Sequence, residues 1–201
     1  MSSDTTRRTL GHYTANADRF WQGTRDHDVA QNIDALLSAI TDPPPWQILE
    51  FGCGPGRDLK TFAERGHVPV GLDGSPPFVE MARAYSGCEV WLQDFLELDL
   101  PPARFHGVFA NASLFHVPSA ELPRVLRELR DTLRPGGVLF FSNPRGNDQE
   151  GWSGERYGCY FDIDRWRALM TDAGFTEVGC YYRPPGLPRA EQPWLAMTWR
   201  R

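Results

Sequence analysis

Trp46-Gln47-Ile48-Leu49-Glu50-Phe51-Gly52-Cys53-Gly54-Pro55-Gly56-Arg57-Asp58-Leu59 is the stretch that decides the fold. Its first four residues read as the end of a buried strand, the alternate glycines as a sharp reversal, and the residues from Arg57 as a helix start. That order presents free backbone N–H groups at the carboxyl edge of a sheet, which suits a nucleotide cofactor. Glycine at 52, 54 and 56 removes the Cβ atoms that would hold a ligand off that backbone. The spacing separates two cofactor classes. A dinucleotide fingerprint G-x-G-x-x-G beginning at Gly52 needs its third glycine at 57, where this chain has arginine. The pattern here is acidic-x-G-x-G-x-G.

Outward from that loop, Val68-Pro69-Val70-Gly71-Leu72 forms a second short apolar run ending in Asp73. An acid at the tip of strand two suits both ribose hydroxyls of a nucleoside; the alternative is a turn aspartate in Asp73-Gly74-Ser75. Cys88 to Leu92 reads as strand three, running into Gln93-Asp94-Phe95, and His106 to Ala110 as strand four, running into Asn111-Ala112-Ser113-Leu114-Phe115-His116. After Ser119, apolar residues at 122, 125, 126, 129 and 133 mark a helix, closed by Pro135-Gly136-Gly137 before strand five at 138–142. Residues 26–40 and 162–173 suit helices, and 175–182 and 194–200 suit two further strands. The joining Arg183-Pro184-Pro185-Gly186-Leu187-Pro188 is expected outside the sheet. Polar residues 1–9 are expected to fray, and 143–158 to form a loop over the site.

These ordered parts, from about residue 46 to 142, resemble the class I S-adenosylmethionine (SAM) dependent methyltransferases, with 50–56 as motif I and 111–116 as motif IV. The resemblance implies an α/β, Rossmann-like fold: a mostly parallel seven-stranded sheet with an antiparallel edge hairpin and helices on both faces. It implies one domain over 1–201, with a helical lid (1–40), a cofactor-binding core (46–142), and a substrate loop with edge strands (143–201). It also implies SAM as cofactor and S-adenosylhomocysteine (SAH) as product. Glu50, Gly52, Cys53, Gly54, Gly56, Arg57, Asp73, Gly74, Ser75, Asn111 and Ala112 would surround it, with Asp94 accepting from the adenine amine and Phe95 bordering the base.

Length and composition agree with one enzyme-sized unit: 201 residues, 41% hydrophobic and 23% charged, with apolar runs of strand length only. No secretory pattern opens the chain, so a cytoplasmic location is expected. Cysteines 53, 88, 159 and 180 lack metal-ligand spacing, which favours reduced thiols and no metal. A net charge of −5, no Lys/Arg run longer than two, and an Asn-Ala-Ser-Leu motif IV without a Pro-Pro-aromatic ending argue for a small-molecule acceptor over nucleic acid.

Methyl transfer from a sulfonium requires in-line alignment, exclusion of water and a free lone pair on the acceptor. Tyr13 resembles the N-terminal tyrosine that closes over the methyl end in many small-molecule methyltransferases; the other reading is a surface aromatic on a mobile arm. Trp21, Arg25 and His27 would line the same lid. His116 stands just past strand four, where an imidazole can take the acceptor's proton or hold it; equally, it can be a helix-start histidine touching backbone or cofactor. Asn111 and Ser113 can donate hydrogen bonds to the acceptor. His12, His67 and His106 are expected to be solvated.

A closer resemblance covers nearly the whole chain. Asp26 to Asn32, Phe51 to Lys60, Val108 to Pro118 and Pro184 to Arg189 are similar to the C-terminal methyltransferase domain of the ovothiol-forming enzyme. So are Asn143-Pro144-Arg145-Gly146, Glu150-Gly151-Trp152 and Arg156-Tyr157-Gly158. This implies transfer to an imidazole nitrogen of a thiolated histidine. The family's sulfoxide synthase domain has no counterpart in these residues, which leaves the acceptor open. Phe115, Arg145, Trp152, Arg156, Tyr157, Tyr160, Tyr181, Tyr182 and Arg183 are the candidate acceptor contacts, since aromatic rings and guanidinium groups suit a flat ring and a carboxylate.

Overall fold

Strands joined by crossover helices must run parallel, and the helical segments between the apolar runs make this so. The computed structural model describes residues 2–201, with side chains from residue 4. In it β1 (Gln47–Phe51), α4 (Arg57–Glu64), β2 (Val68–Asp73), α5 (Pro76–Ser86) and β3 (Glu89–Leu92) are followed by β4 (Phe105–Asn111), α6 (Leu122–Thr132) and β5 (Leu133–Pro144). After α7 (Ile163–Asp172), β8 (Thr176–Arg183) and β9 (Trp194–Arg200) return antiparallel, giving a seven-stranded sheet ordered β3-β2-β1-β4-β5-β9-β8. The inner parallel strands β1, β2 and β4 are nearly continuous runs of buried residues, as a sheet covered on both faces demands.

Alternate residues of each strand face opposite layers. Ile48, Phe109, Phe140 and Ala196 pack with Ile33 and Leu36 of α3 (Ala30–Ala39), with Ile40 just past its end, and with Phe62 of α4. Leu49, Val108, Leu139 and Phe141 face the other layer, where Leu122, Val125, Leu126 and Leu129 of α6 meet Trp166 and Met170 of α7. Helices therefore cover both faces, and the sheet's carboxyl edge is left open for a site between β1 and β4, where strand order reverses.

Several expectations require correction. The stretch expected to fray is helical from Ser2, within α1 (Ser2–Ala15), and α2 (Ala17–Thr24) follows; Met1 lies outside the described residues. The helix sought over 26–40 begins at Ala30, capped by Asp28, whose Oδ1 accepts from the Ala30 N–H at 2.9 Å. The expected loop over 143–158 is largely a hairpin of β6 (Gln149–Ser153) and β7 (Arg156–Tyr160), separate from the main sheet. Glycine and charge masked its pairing. Arg183 pairs with Trp194 and so ends β8 within the sheet. His106 is buried in β4, its Nδ1 accepting from the Gln47 N–H at 3.0 Å, and His67 stacks on Trp46 at 4.7 Å, so these two are packed rather than solvated. Half-buried His12 lies edge-on to Tyr13. Among the described residues no helix is long and apolar enough to cross a membrane, and no cluster of three acidic, histidine or cysteine groups could hold a metal.

Candidate active site

The loop after β1 and the ends of β2, β4 and β5 enclose a cavity of about 610 Å³, roofed by α1, α2 and the loop after α2. The three motif glycines do different work. At Gly52 (φ +81°) a Cβ would collide with the Ser113 Cβ, and at Gly56 (φ +90°) it would lie 2.8 Å from the Ala82 Cα of α5. These two glycines are required by packing within the protein, and Gly56 does not line the cavity. Only Gly54 points its missing Cβ toward the roof, 3.6 Å from the Phe20 ring. The backbone reversal keeps Cys53 buried; burial raises its thiol pKa well above the usual value, which removes it as a nucleophile.

Asp73 is the hub of the cofactor end. Its Oδ2 accepts from the Gly54 N–H and its Oδ1 from the Ser75 N–H, each at 2.9 Å. Burial raises its pKa to about 6, with those N–H groups opposing. Ser75 itself is fully buried behind the wall, its hydroxyl 3.1 Å from that of Thr14, and Gly74 sits under Leu10 of α1. Asp94 accepts from the Leu96 N–H at 2.9 Å, and Phe95 stacks on Phe51 with ring centroids 4.0 Å apart, making a flat apolar shelf beside a carboxylate. Glu50 is buried with one carboxylate oxygen, Oε2, lacking any hydrogen-bond partner, and burial raises its pKa. Ala112 adopts φ +60°, outside the usual range for a residue with a Cβ, and donates its N–H to the Ser142 carbonyl at 2.8 Å. Ser113, expected to reach the acceptor, donates instead to the Phe51 carbonyl and so ties motif IV to motif I.

Arg57 lines the cavity, with three of its N–H groups already spent within the protein. Nε and Nη2 grip the buried Asp58 carboxylate at 2.6 and 2.9 Å, and Nη1 donates to the Thr24 carbonyl at 2.7 Å, fastening the end of α2 to the core.

At the other end of the cavity the Tyr13 hydroxyl lies 2.8 Å from His116 Nε2, and His116 Nδ1 lies 2.6 Å from the Tyr157 carbonyl. A carbonyl can only accept, so Nδ1 carries the proton and Nε2 accepts from the tyrosine. Burial lowers the His116 pKa to about 4, opposed by the Tyr157 carbonyl and reinforced by Arg156, so the imidazole is neutral at ordinary pH. Burial also raises the Tyr13 phenol. Phe20 and Phe78 pack on the Tyr13 ring at 5.6 and 5.8 Å. Neither was singled out from the sequence; the signal was the Tyr13/Phe20 spacing of seven within the segment read as a helical lid.

Trp21, His27, Phe115, Arg156 and Arg183 also line the cavity; the Arg183 guanidinium donates to the Asp28 carbonyl at 2.9 Å. Seven candidates do not line it, Tyr181 among them, whose hydroxyl donates to Asn32 Oδ1 at 2.8 Å. Arg25 is exposed beside Asp26, and Arg145 spends its guanidinium on the carbonyls of Gln192 and Arg189. Trp152 is exposed under Arg8, and Tyr160 packs behind Phe115. Tyr157 contributes its carbonyl to His116 while its phenol faces Glu150, and Tyr182 lies beneath Arg189. Each of these rings is held by a neighbouring side chain, which sequence order alone did not reveal.

Comparison with known proteins bears on the fold and on the sequence of its central part. Residues 48–137 match the family model described as a methyltransferase domain. An uncharacterized methyltransferase of Geobacillus kaustophilus is 32% identical over 127 residues, 62% of this chain and 59% of that one. Trans-aconitate 2-methyltransferase of Azoarcus sp. is 35% identical over 118 residues, 57% of this chain and 45% of that one. The chain thus spans about half the length of these curated relatives. Among solved structures, the 1,6-didemethyltoxoflavin-N1-methyltransferase of Burkholderia thailandensis, bound to 1,6-didemethyltoxoflavin and SAH, superposes with a TM-score of 0.82 at 22% identity. It covers 100% of this chain and 90% of that one. The fold is the Rossmann-like fold seen in class I SAM-dependent methyltransferases, and residues 48–137 are similar in sequence to a methyltransferase domain.

Proposed function

We propose that this chain is a SAM-dependent methyltransferase acting on a small molecule, and that its acceptor atom is a heteroaromatic ring nitrogen, as in the imidazole of a thiolated histidine. The observation that carries the reading is one cavity with a carboxylate-lined nucleotide end and an aromatic Tyr13–His116 end flanked by Arg156 and free of carboxylates. Its volume lies in the range of roughly 300–1,000 Å³ usual for small-molecule sites.

The chain's residues suit SAM. Asp73 retains lone pairs for ribose hydroxyls beyond the two N–H groups it already accepts, and Asp94 beside the Phe95 shelf suits an amine-bearing flat base. Buried Glu50, with an oxygen lacking a partner, suits the amino group of an amino-acid tail. When bound, the cofactor supplies an electrophilic methyl group on a sulfonium. The Tyr13 and Phe20 rings offer π faces to positive charge without competing as nucleophiles. α1 and the hairpin exclude water: Arg8 grips Glu155 at 2.6 and 2.8 Å, and Thr9 accepts the Tyr157 N–H at 3.0 Å.

The acceptor class follows from what the site lacks. Both His116 nitrogens are engaged, so no imidazole lone pair faces the acceptor. Tyr13, donating to His116 and accepting from Arg156, keeps one oxygen lone pair, which can hold an N–H of the acceptor but removes protons poorly. Such a site serves a nucleophile whose lone pair is already free near neutral pH, such as an sp² ring nitrogen, better than an alcohol or an ammonium. The solved relative that acts on a ring nitrogen, by its name, accords with this.

Two experiments test the proposal. Calorimetry with SAM, SAH and NAD should show SAM and SAH binding and none of NAD; tight NAD binding without SAM binding overturns the cofactor assignment. Mass-spectrometric screening of imidazoles, thiols, alcohols and amines should give methyl transfer to an imidazole nitrogen. Transfer to an alcohol alone would refute the acceptor class.

A further inference from the structure

Asn32 is a fully buried polar residue on the face that α3 otherwise turns to the core with Ile33 and Leu36. An amide there costs stability unless each of its groups is bonded, and both are. Its Nδ2 donates to Asn111 Oδ1 at 2.9 Å, and its Oδ1 accepts from the Tyr181 hydroxyl at 2.8 Å. Asn111 Nδ2 in turn faces Asp58 Oδ2 at 3.4 Å, and Asp58 is gripped by Arg57. The direction of this chain of bonds has one solution. A carboxylate bonded to arginine only accepts, so Asn111 must turn its NH₂ toward Asp58. Its Oδ1 then needs a donor, which requires the NH₂ of Asn32, and Asn32 Oδ1 must in turn receive the Tyr181 hydroxyl. The amide orientations thus follow from chemistry rather than from an assignment of nitrogen and oxygen positions.

The geometry points to Asn32, oriented by Tyr181, as a positioning residue: it fixes the polarity that the Asn111 amide presents to the amino-acid tail of the cofactor. Asn111 ends β4 beside motif I and lines the cavity with Gly52 and Glu50. Once its inward bonds are made, one N–H and one oxygen lone pair remain. They form a donor and an acceptor of fixed sense, matched to a group carrying both carboxylate and ammonium. Two segments far apart in sequence, α3 and β8, thereby set the orientation of a side chain on the cofactor side.

This inference rests on the proposal that the cavity binds SAM, and the test separates the two. SAH is titrated calorimetrically into the wild type, Tyr181→Phe, Asn32→Leu, Asn111→Ala and the Asn32→Leu/Asn111→Ala double variant, with melting temperatures recorded for each. No SAH binding by the wild type would sink the function proposal itself. With binding established, Asn32→Leu is expected to weaken SAH about tenfold and Tyr181→Phe about threefold, in line with the loss of one buried hydrogen bond. In the Asn111→Ala background, Asn32→Leu should have no further effect, because the side chain it orients is gone. An equal loss in both backgrounds, or unchanged affinity in Tyr181→Phe and Asn32→Leu, overturns the positioning role. If Asn32→Leu does not fold, the Tyr181→Phe cycle with Asn111→Ala decides in the same way.

Discussion

The two ends of the cavity are built by opposite means. The cofactor end comes mainly from one stretch, Glu50 to Phe95, in which each strand delivers its functional residue at its own carboxyl tip. The acceptor end is assembled from residues near 13, 116, 156 and 183, brought together only by the tertiary fold. Their electrostatics differ as well: carboxylates at Glu50, Asp58 and Asp73, all buried, and at half-buried Asp94, against a neutral tyrosine, histidine and carbonyl relay flanked by the guanidinium groups of Arg156 and Arg183. The contrast separates two tasks. Holding a polar cofactor takes charged acceptors on rigid strand ends, whereas presenting a nucleophile to a sulfonium takes a shaped, largely aromatic wall that excludes water.

The sharpest way to break this division is at Asp73. Asp73→Ala removes two charge-assisted acceptors, each worth about 1.5–3 kcal/mol, so SAH affinity should fall by at least about a hundredfold. Because the Asp73 carboxyl titrates near 6, SAH binding by the wild type should also weaken as pH falls below about 6, where protonation removes acceptor capacity. Calorimetry over that range checks both, and an Asp73→Ala protein that binds SAH normally would dismiss the ribose assignment.

Tyr13 should behave the other way. Tyr13→Phe deletes the hydroxyl that joins α1 to His116 and keeps the ring, so turnover on the acceptor found by screening should fall roughly tenfold while SAH affinity stays within about threefold. Equal losses in both would erase the distinction between the two ends.

This division also explains what was legible in the sequence. Motif I, Asp73, Asp94 and the strand order could be read because each belongs to one local strand-turn-helix unit whose period and punctuation are visible. Gly52 and Gly56 were legible as glycines but not in purpose, since their close neighbours, Ser113 and Ala82, come from other elements. Asn32 carried a signal that was passed over, a polar residue within an apolar helical face. The β6–β7 hairpin was hidden because its composition is that of a loop and its packing partner is α1. Arg25, Arg145, Trp152 and Tyr182 had the right chemistry for an acceptor site, but nothing local records which way a side chain faces.

Gly158 offers a smaller perturbation of the acceptor end alone. A Cβ there would lie 2.9 Å from Phe115 Cδ2, so Gly158→Ala should shift the hairpin and cost about 1–3 kcal/mol of stability with SAH affinity unchanged. Thermal unfolding and calorimetry on the same sample read both quantities; a loss of SAH affinity matching the loss of stability would mean that the two ends are not separable.

The smallest effect predicted is an absence of pH dependence, and it bears most directly on His116. Were this imidazole the base, the ratio of wild-type to His116→Ala turnover would be greatest at low pH and shrink as the acceptor's own proton is lost. With its pKa at about 4 and Nε2 occupied by Tyr13, His116 does not titrate in the working range, so the ratio should stay flat from about pH 6 to about 9. Its titration should appear instead in stability. The folded value lies below the ordinary 6.5, so between the two the unfolded chain binds the extra proton. The neutral histidine's contribution is fully present above 6.5 and is lost as pH falls toward 4. Asp73 runs the opposite way: its folded value near 6 exceeds the ordinary 3.8, so its contribution is present below 3.8 and is lost as pH rises through 6. The two slopes oppose one another in the wild type, and His116→Ala removes only the first. The stability difference between wild type and His116→Ala, measured by urea unfolding, should therefore grow from about pH 4 to about 6.5 and then level off. A turnover ratio that rises toward low pH would restore His116 as the base and withdraw the inference that the acceptor brings its own lone pair.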